Sequence, residues 1–167
     1  YGQGITTVKS NAFAKSSVCY VDFPNLKEIG NKAFLDCCNL ADISLFNVET
    51  IGEYSFQNTV SMEELDSCSI LSIGASAFEQ SGIEYINLPS TTEVGKNAFA
   101  SCESLTSASI PMLTELGIGV FKNCISLKEL DMPLLVNIKS NALRNTGLEF
   151  FYGKDVVQID NYAFAES

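Results

Sequence analysis

The chain has 167 residues, 20 acidic against 10 basic, a net charge of −10 and a single arginine, Arg144. Phosphate and anionic headgroups are recognised by Lys and Arg, so nucleic acid and anionic membrane surfaces are poor partners. Without a run of about 18 apolar residues, membrane insertion is excluded. Histidine is absent, which removes the commonest general base, the commonest metal ligand and every Ser-His-Asp or Cys-His arrangement.

Taken in order, the chain repeats itself. A first motif appears as VKSNAF (8–13), IGNKAF (29–34), IGEYSF (51–56), IGASAF (73–78), VGKNAF (94–99), LGIGVF (116–121), IKSNAL (138–143) and IDNYAF (159–164). Successive starts lie 21, 22, 22, 21, 22, 22 and 21 residues apart. Self-similarity at this period marks a solenoid, in which each unit buries its apolar side only against its neighbours. The motif predicts a tight turn or a single helical turn on the opposite wall. Its aromatic residues (Phe13, Phe34, Phe56, Phe78, Phe99, Phe121 and Phe164) are expected to stack as an internal spine, with Leu143 the one substitution.

A second motif follows each first one: VCYVDF (18–23), LADISL (40–45), MEELDS (62–67), IEYINL (83–88), LTSASI (105–110), LKELDM (127–132) and LEFFYG (148–153). Period-two alternation puts Ile86 and Leu88 inward and Tyr85 and Asn87 outward on a strand. Prolines at 24, 89, 111 and 133 stop it. Strands are expected over 20–23, 42–45, 64–67, 85–88, 107–110, 129–132 and 150–152, stacked into one parallel sheet with the spine beneath.

Between the motifs runs a column of small residues: Ser16, Cys37, Thr59, Ser81, Cys102, Cys124, Thr146 and Ser167. Every occupant carries a hydroxyl or thiol, which suits a ladder capping backbone groups of neighbouring rungs. Cys37 is three rungs from Cys102, too far for a disulfide. Cys102 and Cys124 sit on adjacent rungs, where a bond is conceivable but not implied. Cys19, Cys38 and Cys68 lack the paired spacing of a zinc site. The thiols read as reduced, and no metal or cofactor is expected.

The combination I-G-x-x-A-F-x-x-C-x-x-L-x-x-I-x-L-P, standing as VGKNAFASCESLTSASIP (94–111) and IGNKAFLDCCNLADISLF (29–46), resembles the BspA-like, or Treponema-type, leucine-rich repeats. The likeness covers the whole chain. It implies a right-handed leucine-rich-repeat array over 1–167, with one parallel β-sheet and short strands or single helical turns on the opposite wall. Family members are mostly bacterial or protozoan proteins of the cell surface, several tied to adhesion. The resemblance therefore implies a surface or secreted, non-catalytic binding module that holds host matrix, another surface protein or a glycan.

The 21-residue units are the first, fourth and seventh, giving a super-period of 65 that Val8, Ile73 and Ile138 obey. The outward strand positions follow it: Tyr20, Asp42, Glu64, Tyr85, Ser107, Glu129 and Phe150 in one column, Asp22, Ser44, Asp66, Asn87, Ser109, Asp131 and Tyr152 in the next. An aromatic thus recurs every third rung, about 14 Å apart. Of these, Tyr20, Asp22, Asp42, Glu64, Asp66, Tyr85, Asn87, Glu129, Asp131, Phe150 and Tyr152 are the candidate ligand-binding residues. Decoration merely duplicated with a three-repeat block is the plain alternative. So is a spacer without its own ligand. A polysaccharide lyase using Glu64 with Asp66 or Glu129 with Asp131 would need a basic partner, and Lys128 stands alone there. Tyr1-Gly2 aligns with Tyr152-Gly153, and neither end carries a polar cap. The expectation is a stretch of a longer array whose end rungs self-associate.

Overall fold

The structure, a computed structural model, describes residues 4–167. It holds fourteen short strands and no helix among those residues, and every strand pairing is parallel. One wall carries β2 (Tyr20–Val21), β4 (Asp42–Ile43), β6 (Glu64–Asp66), β8 (Tyr85–Asn87), β10 (Ser107–Ser109) and β12 (Glu129–Asp131). The other carries β1 (Thr7–Val8), β3 (Glu28–Ile29), β5 (Thr50–Ile51), β7 (Ser72–Ile73), β9 (Glu93–Val94), β11 (Glu115–Leu116), β13 (Asn137–Ile138) and β14 (Gln158–Ile159). The second wall is thus built of short strands rather than helical turns. Its residues supply one apolar side chain per rung, buried at Ile29, Ile51 and Ile73, half-buried at Val94 and exposed at Ile159.

The segment carrying the spine aromatic forms a third wall without being strand or helix. Left-handed backbone recurs twice per turn, four residues apart, as at Asn97 (φ 56°) and Ser101 (φ 58°) on either side of Phe99. This alternation forbids a helix, and the Asn and Asp residues at many of these positions tolerate it best. Alternate amides then reach across rungs. Those of Asn97, Phe99 and Ser101 donate to the carbonyls of Ile118, Val120 and Lys122 at 3.0, 3.0 and 2.7 Å. The intervening amides close turns within the rung, as Ala98 to Gly95 at 3.2 Å. From Asn97 to Cys102 each backbone donor finds a partner, as burial demands.

Between the walls the predicted spine is present. Phe13, Phe34, Phe56, Phe78, Phe99 and Phe121 stack with centroids 5.0–5.5 Å apart and interplanar angles of 3–9°. Phe34 through Phe121 are completely buried, whereas Phe13 and Phe164 are partly exposed. The column of hydroxyls and thiols does cap backbone, chiefly the carbonyl of a spine residue. Cys37, Cys102 and Cys124 donate Sγ–H to the Phe13, Phe78 and Phe99 carbonyls of the preceding rung at 2.9, 3.1 and 3.1 Å. Thr59 and Thr146 instead cap Phe56 and Leu143 of their own rung. All six cysteines are unbridged.

Two departures from the sequence expectation, and one further division, have physical causes. The strand expected at 150–152 does not form. Its inward positions hold Phe151 and Gly153, where other rungs hold Ile86 and Leu88 or Ala108 and Ile110. Phe151 is too large to enter and turns edge-on to Phe164, with centroids 5.1 Å apart, while Gly153 offers nothing to bury. The expected continuous sheet also divides, into β2–β4 and β6–β8–β10–β12. The division falls where Ser67 replaces a large apolar residue and its hydroxyl donates to the Leu45 carbonyl at 3.0 Å. The second wall divides between β9 and β11, beside Val120, which fills a column otherwise of Ala and Ser and lies 3.5 Å from the position a Gly117 Cβ would take. A shallow hollow of about 380 Å³, lined by Thr92, Glu93, Gly95, Glu115 and Gly117 among others, marks that division.

Candidate binding face

The outward side of the first wall is the candidate site, and strand alternation builds it. In β6, β8 and β10 the middle residue points into the core (Leu65, Ile86 and Ala108 are at most 3% exposed). Its two neighbours necessarily point out. Register then aligns the columns across rungs: Glu64 with Tyr85, Ser107 and Glu129, and Asp66 with Asn87, Ser109 and Asp131. Six of the eleven candidate residues (Glu64, Asp66, Tyr85, Asn87, Glu129 and Asp131) therefore share one four-stranded sheet. Tyr20 and Asp42 face each other on the separate β2–β4 pair, and Asp22 follows β2 as an exposed residue. Phe150 and Tyr152, each 86% exposed, lie outside any strand.

Within the four-stranded sheet, hydrogen bonds run between rungs. Asn87 Nδ2 donates to Asp66 Oδ1 at 2.9 Å, and Ser109 Oγ donates to Asp131 Oδ2 at 3.0 Å. These bonds engage one oxygen of each carboxylate, Asp66 Oδ1 and Asp131 Oδ2, on residues that are themselves exposed. Tyr85 is 41% and Tyr20 60% exposed, so each presents a ring to solvent at little further desolvation cost.

The face is not flat. A hollow of about 220 Å³ opens over β10, with Ser107, Ala108 and Ser109 as its floor, Tyr85 as one flank and Glu129, Leu130 and Asp131 as the other. The floor is low because β10 carries the smallest outward side chains of the four-stranded sheet. Ser107 and Ser109 were not among the candidates read from sequence. The signal was there, two serines bracketed by a tyrosine and two carboxylates, but concavity comes from side chains that are small, and chemistry-led reading favours large ones. A narrower crevice of about 140 Å³, lined by Asp42, Ile43, Leu45, Met62, Glu64 and Asp66, marks the division between β4 and β6. Among the described residues no cluster of three metal-ligating side chains occurs, and no helix is long and apolar enough to cross a membrane.

A family model described as a BspA type leucine rich repeat region, in six copies, matches residues 1–71 and 66–167. Among solved structures, the chain is similar to the leucine-rich repeat protein of T. pallidum, at 28% identity and a TM-score of 0.72 over 76% of this chain and 63% of that one. It is similar in fold to leucine-rich repeat proteins from Bacteroides ovatus (24% identity, TM-score 0.74, 93% of this chain and 49% of that one) and Eubacterium ventriosum (20%, 0.78, 92% and 44%). The chain therefore spans less than two thirds of the length of each of these relatives, 44–63%. No curated protein matches it significantly.

Proposed function

This chain belongs to the BspA-type leucine-rich repeat family, and from that premise we propose that it is a non-catalytic binding module of a bacterial or protozoan surface or secreted protein. Its ligand, a protein or a glycan, lies on the outward face of the first wall. The observation that carries this reading is the hollow over β10, set in a four-stranded face whose outward side chains are polar or aromatic and open to solvent. Solenoids bind through such extended surfaces because one rigid array presents many side chains at fixed spacing. Asp66 and Asp131 are tied to neighbouring side chains, which suits a contact surface better than acid–base chemistry.

The test fills the hollow. Immobilised wild-type chain is screened against purified matrix proteins, surface proteins and a glycan array, beside a Ser107→Trp/Ser109→Trp variant and a second-wall control, Thr50→Trp. A ligand held by wild type and Thr50→Trp but lost by the double variant supports the reading. Retention by the double variant, or no ligand across the panels, overturns it in favour of a spacer.

A further inference from the structure

The charge of the molecule is not spread evenly. The first wall's outward and edge positions over rungs one to six (19–22, 41–44, 63–66, 84–87, 106–109 and 128–131) hold eight carboxylates and one basic residue, Lys128. This strip thus carries −7 of the chain's −10, and the remainder, with twelve acidic and nine basic residues, is close to neutral. Ion pairing sharpens the contrast. The four pairs among the described residues, Lys27–Glu49, Lys139–Glu115, Arg144–Glu166 and Lys154–Asp155, all lie elsewhere. On the second wall and the turns carboxylates are partly neutralised at home. On the first wall none is.

We propose that the occupant of this face is a basic, extended polypeptide segment whose arginine or lysine side chains enter the Tyr85–Glu129 hollow. This deepens the binding-face reading and rests on it. Uncompensated charge of one sign on a rigid face attracts and orients a partner of the other sign. The hollow supplies what a guanidinium uses. The Tyr85 ring offers a face for cation–π stacking. Glu129 and the Asp131 oxygen not engaged by Ser109 offer acceptors on the far flank, about two strand spacings away. The serine floor is small enough to admit the side chain's stem. Tyr20, with Asp22 and Asp42 beside it, repeats the chemistry three rungs away, about 14 Å. A peptide lying across the rungs in extended form covers that distance in about four residues, so a basic residue at every fourth position reaches both.

A fluorescent dodecapeptide of three Arg-Ser-Gly-Ser units, and its twin with Gln for Arg, are titrated with the 167-residue chain from about 50 to about 300 mM salt, following anisotropy. The arginine peptide is expected to bind and weaken with salt, and the glutamine twin not to bind. Glu129→Gln/Asp131→Asn should weaken binding roughly fivefold to tenfold, and Tyr85→Ser should also weaken it. Glu93→Gln/Glu115→Gln, which removes equal charge from the second wall, should leave it within about twofold. Equal loss in both charge variants, or no binding of the arginine peptide, overturns the proposal. If a neutral protein or glycan is nonetheless lost on filling the hollow with Ser107→Trp/Ser109→Trp, the face reading stands and the basic partner falls. Thermal midpoints of the charge variants, all at exposed strand positions, verify that each is folded.

Discussion

At the scale of single residues, two side chains are most informative. Ser55 is fully buried, and its Oγ has no hydrogen-bond partner. Its column otherwise holds Ala12, Ala33, Ala77, Ala98, Val120, Ala142 and Ala163. A buried hydroxyl without a partner costs about 1–3 kcal/mol, so Ser55→Ala should stabilise the array by about 1 kcal/mol, read as a higher denaturant midpoint at unchanged slope. Cys102 has the opposite character. Burial, opposed in part by the hydrogen bond from Ser81, pushes its thiol from an ordinary 9.0 up to about 11, and burial also raises Cys124 and Cys37. The folded state therefore favours the protonated thiol. The stabilisation is complete below pH 9 and is lost as pH rises from about 9 through about 11. For Cys102 the loss is on the order of 2 kcal/mol. Wild type should fall in thermal midpoint over that window more steeply than Cys102→Ser, and native Cys102 should resist thiol reagents at neutral pH. Equal alkaline slopes in the two proteins would remove the argument.

At the scale of the element, the period, the strand positions and the spine were legible because each depends on one side chain per rung at a fixed place. What was illegible depends on backbone. Nothing in IGASAF says that two left-handed residues will bracket its Phe, so a helical turn looked as acceptable as the hydrogen-bonded turn that forms. The failed strand at 150–152 was hidden by the period itself, since LEFFYG keeps the spacing of its neighbours while changing the volume of what points inward. Half of the hollow was read and half missed for a similar reason: Tyr85, Glu129 and Asp131 advertise chemistry, whereas Ser107 and Ser109 contribute by leaving space. The shortened repeats, by contrast, find their explanation in structure. Gly82 and Gly147 occupy the same place in the fourth and seventh units, where one residue fewer presses the chain onto the preceding rung. A Cβ at Gly82 would overlap the Val60 carbonyl oxygen, and one at Gly147 the Ile125 carbonyl. Gly82→Ala should accordingly cost about 1–3 kcal/mol, while Gly4→Ala, with open space around it, should cost little of that. Matching unfolding midpoints for the two variants would show that the loop yields.

At the scale of the whole molecule, the two strand walls divide at different rungs, the first between β4 and β6 and the second between β9 and β11. Turn hydrogen bonds and the Phe spine run through both divisions, so the array stays continuous where a wall does not. Across the second division the stacked pair Phe99–Phe121 carries more of the coupling between rungs than its counterparts do. Phe121→Ala should therefore let residues 116–167 exchange their amide hydrogens ahead of the remainder, as a separate unit. Phe78→Ala, with an unbroken second wall on both sides of it, should lower stability without creating such a boundary. Exchange that stays uniform along the chain in Phe121→Ala would show the spine is not the joint. The direction of those hydrogen bonds has a mechanical consequence. Bonds between rungs in all three walls lie along the axis of the stack. A load applied to the two ends pulls them open one rung at a time, as a zipper is drawn, instead of shearing many together. Each released rung of about 22 residues lengthens the chain by roughly 70 Å. Under tension such an array yields in small, equal, re-formable steps, and behaves as a soft extensible tether rather than as a stiff rod that holds and then snaps.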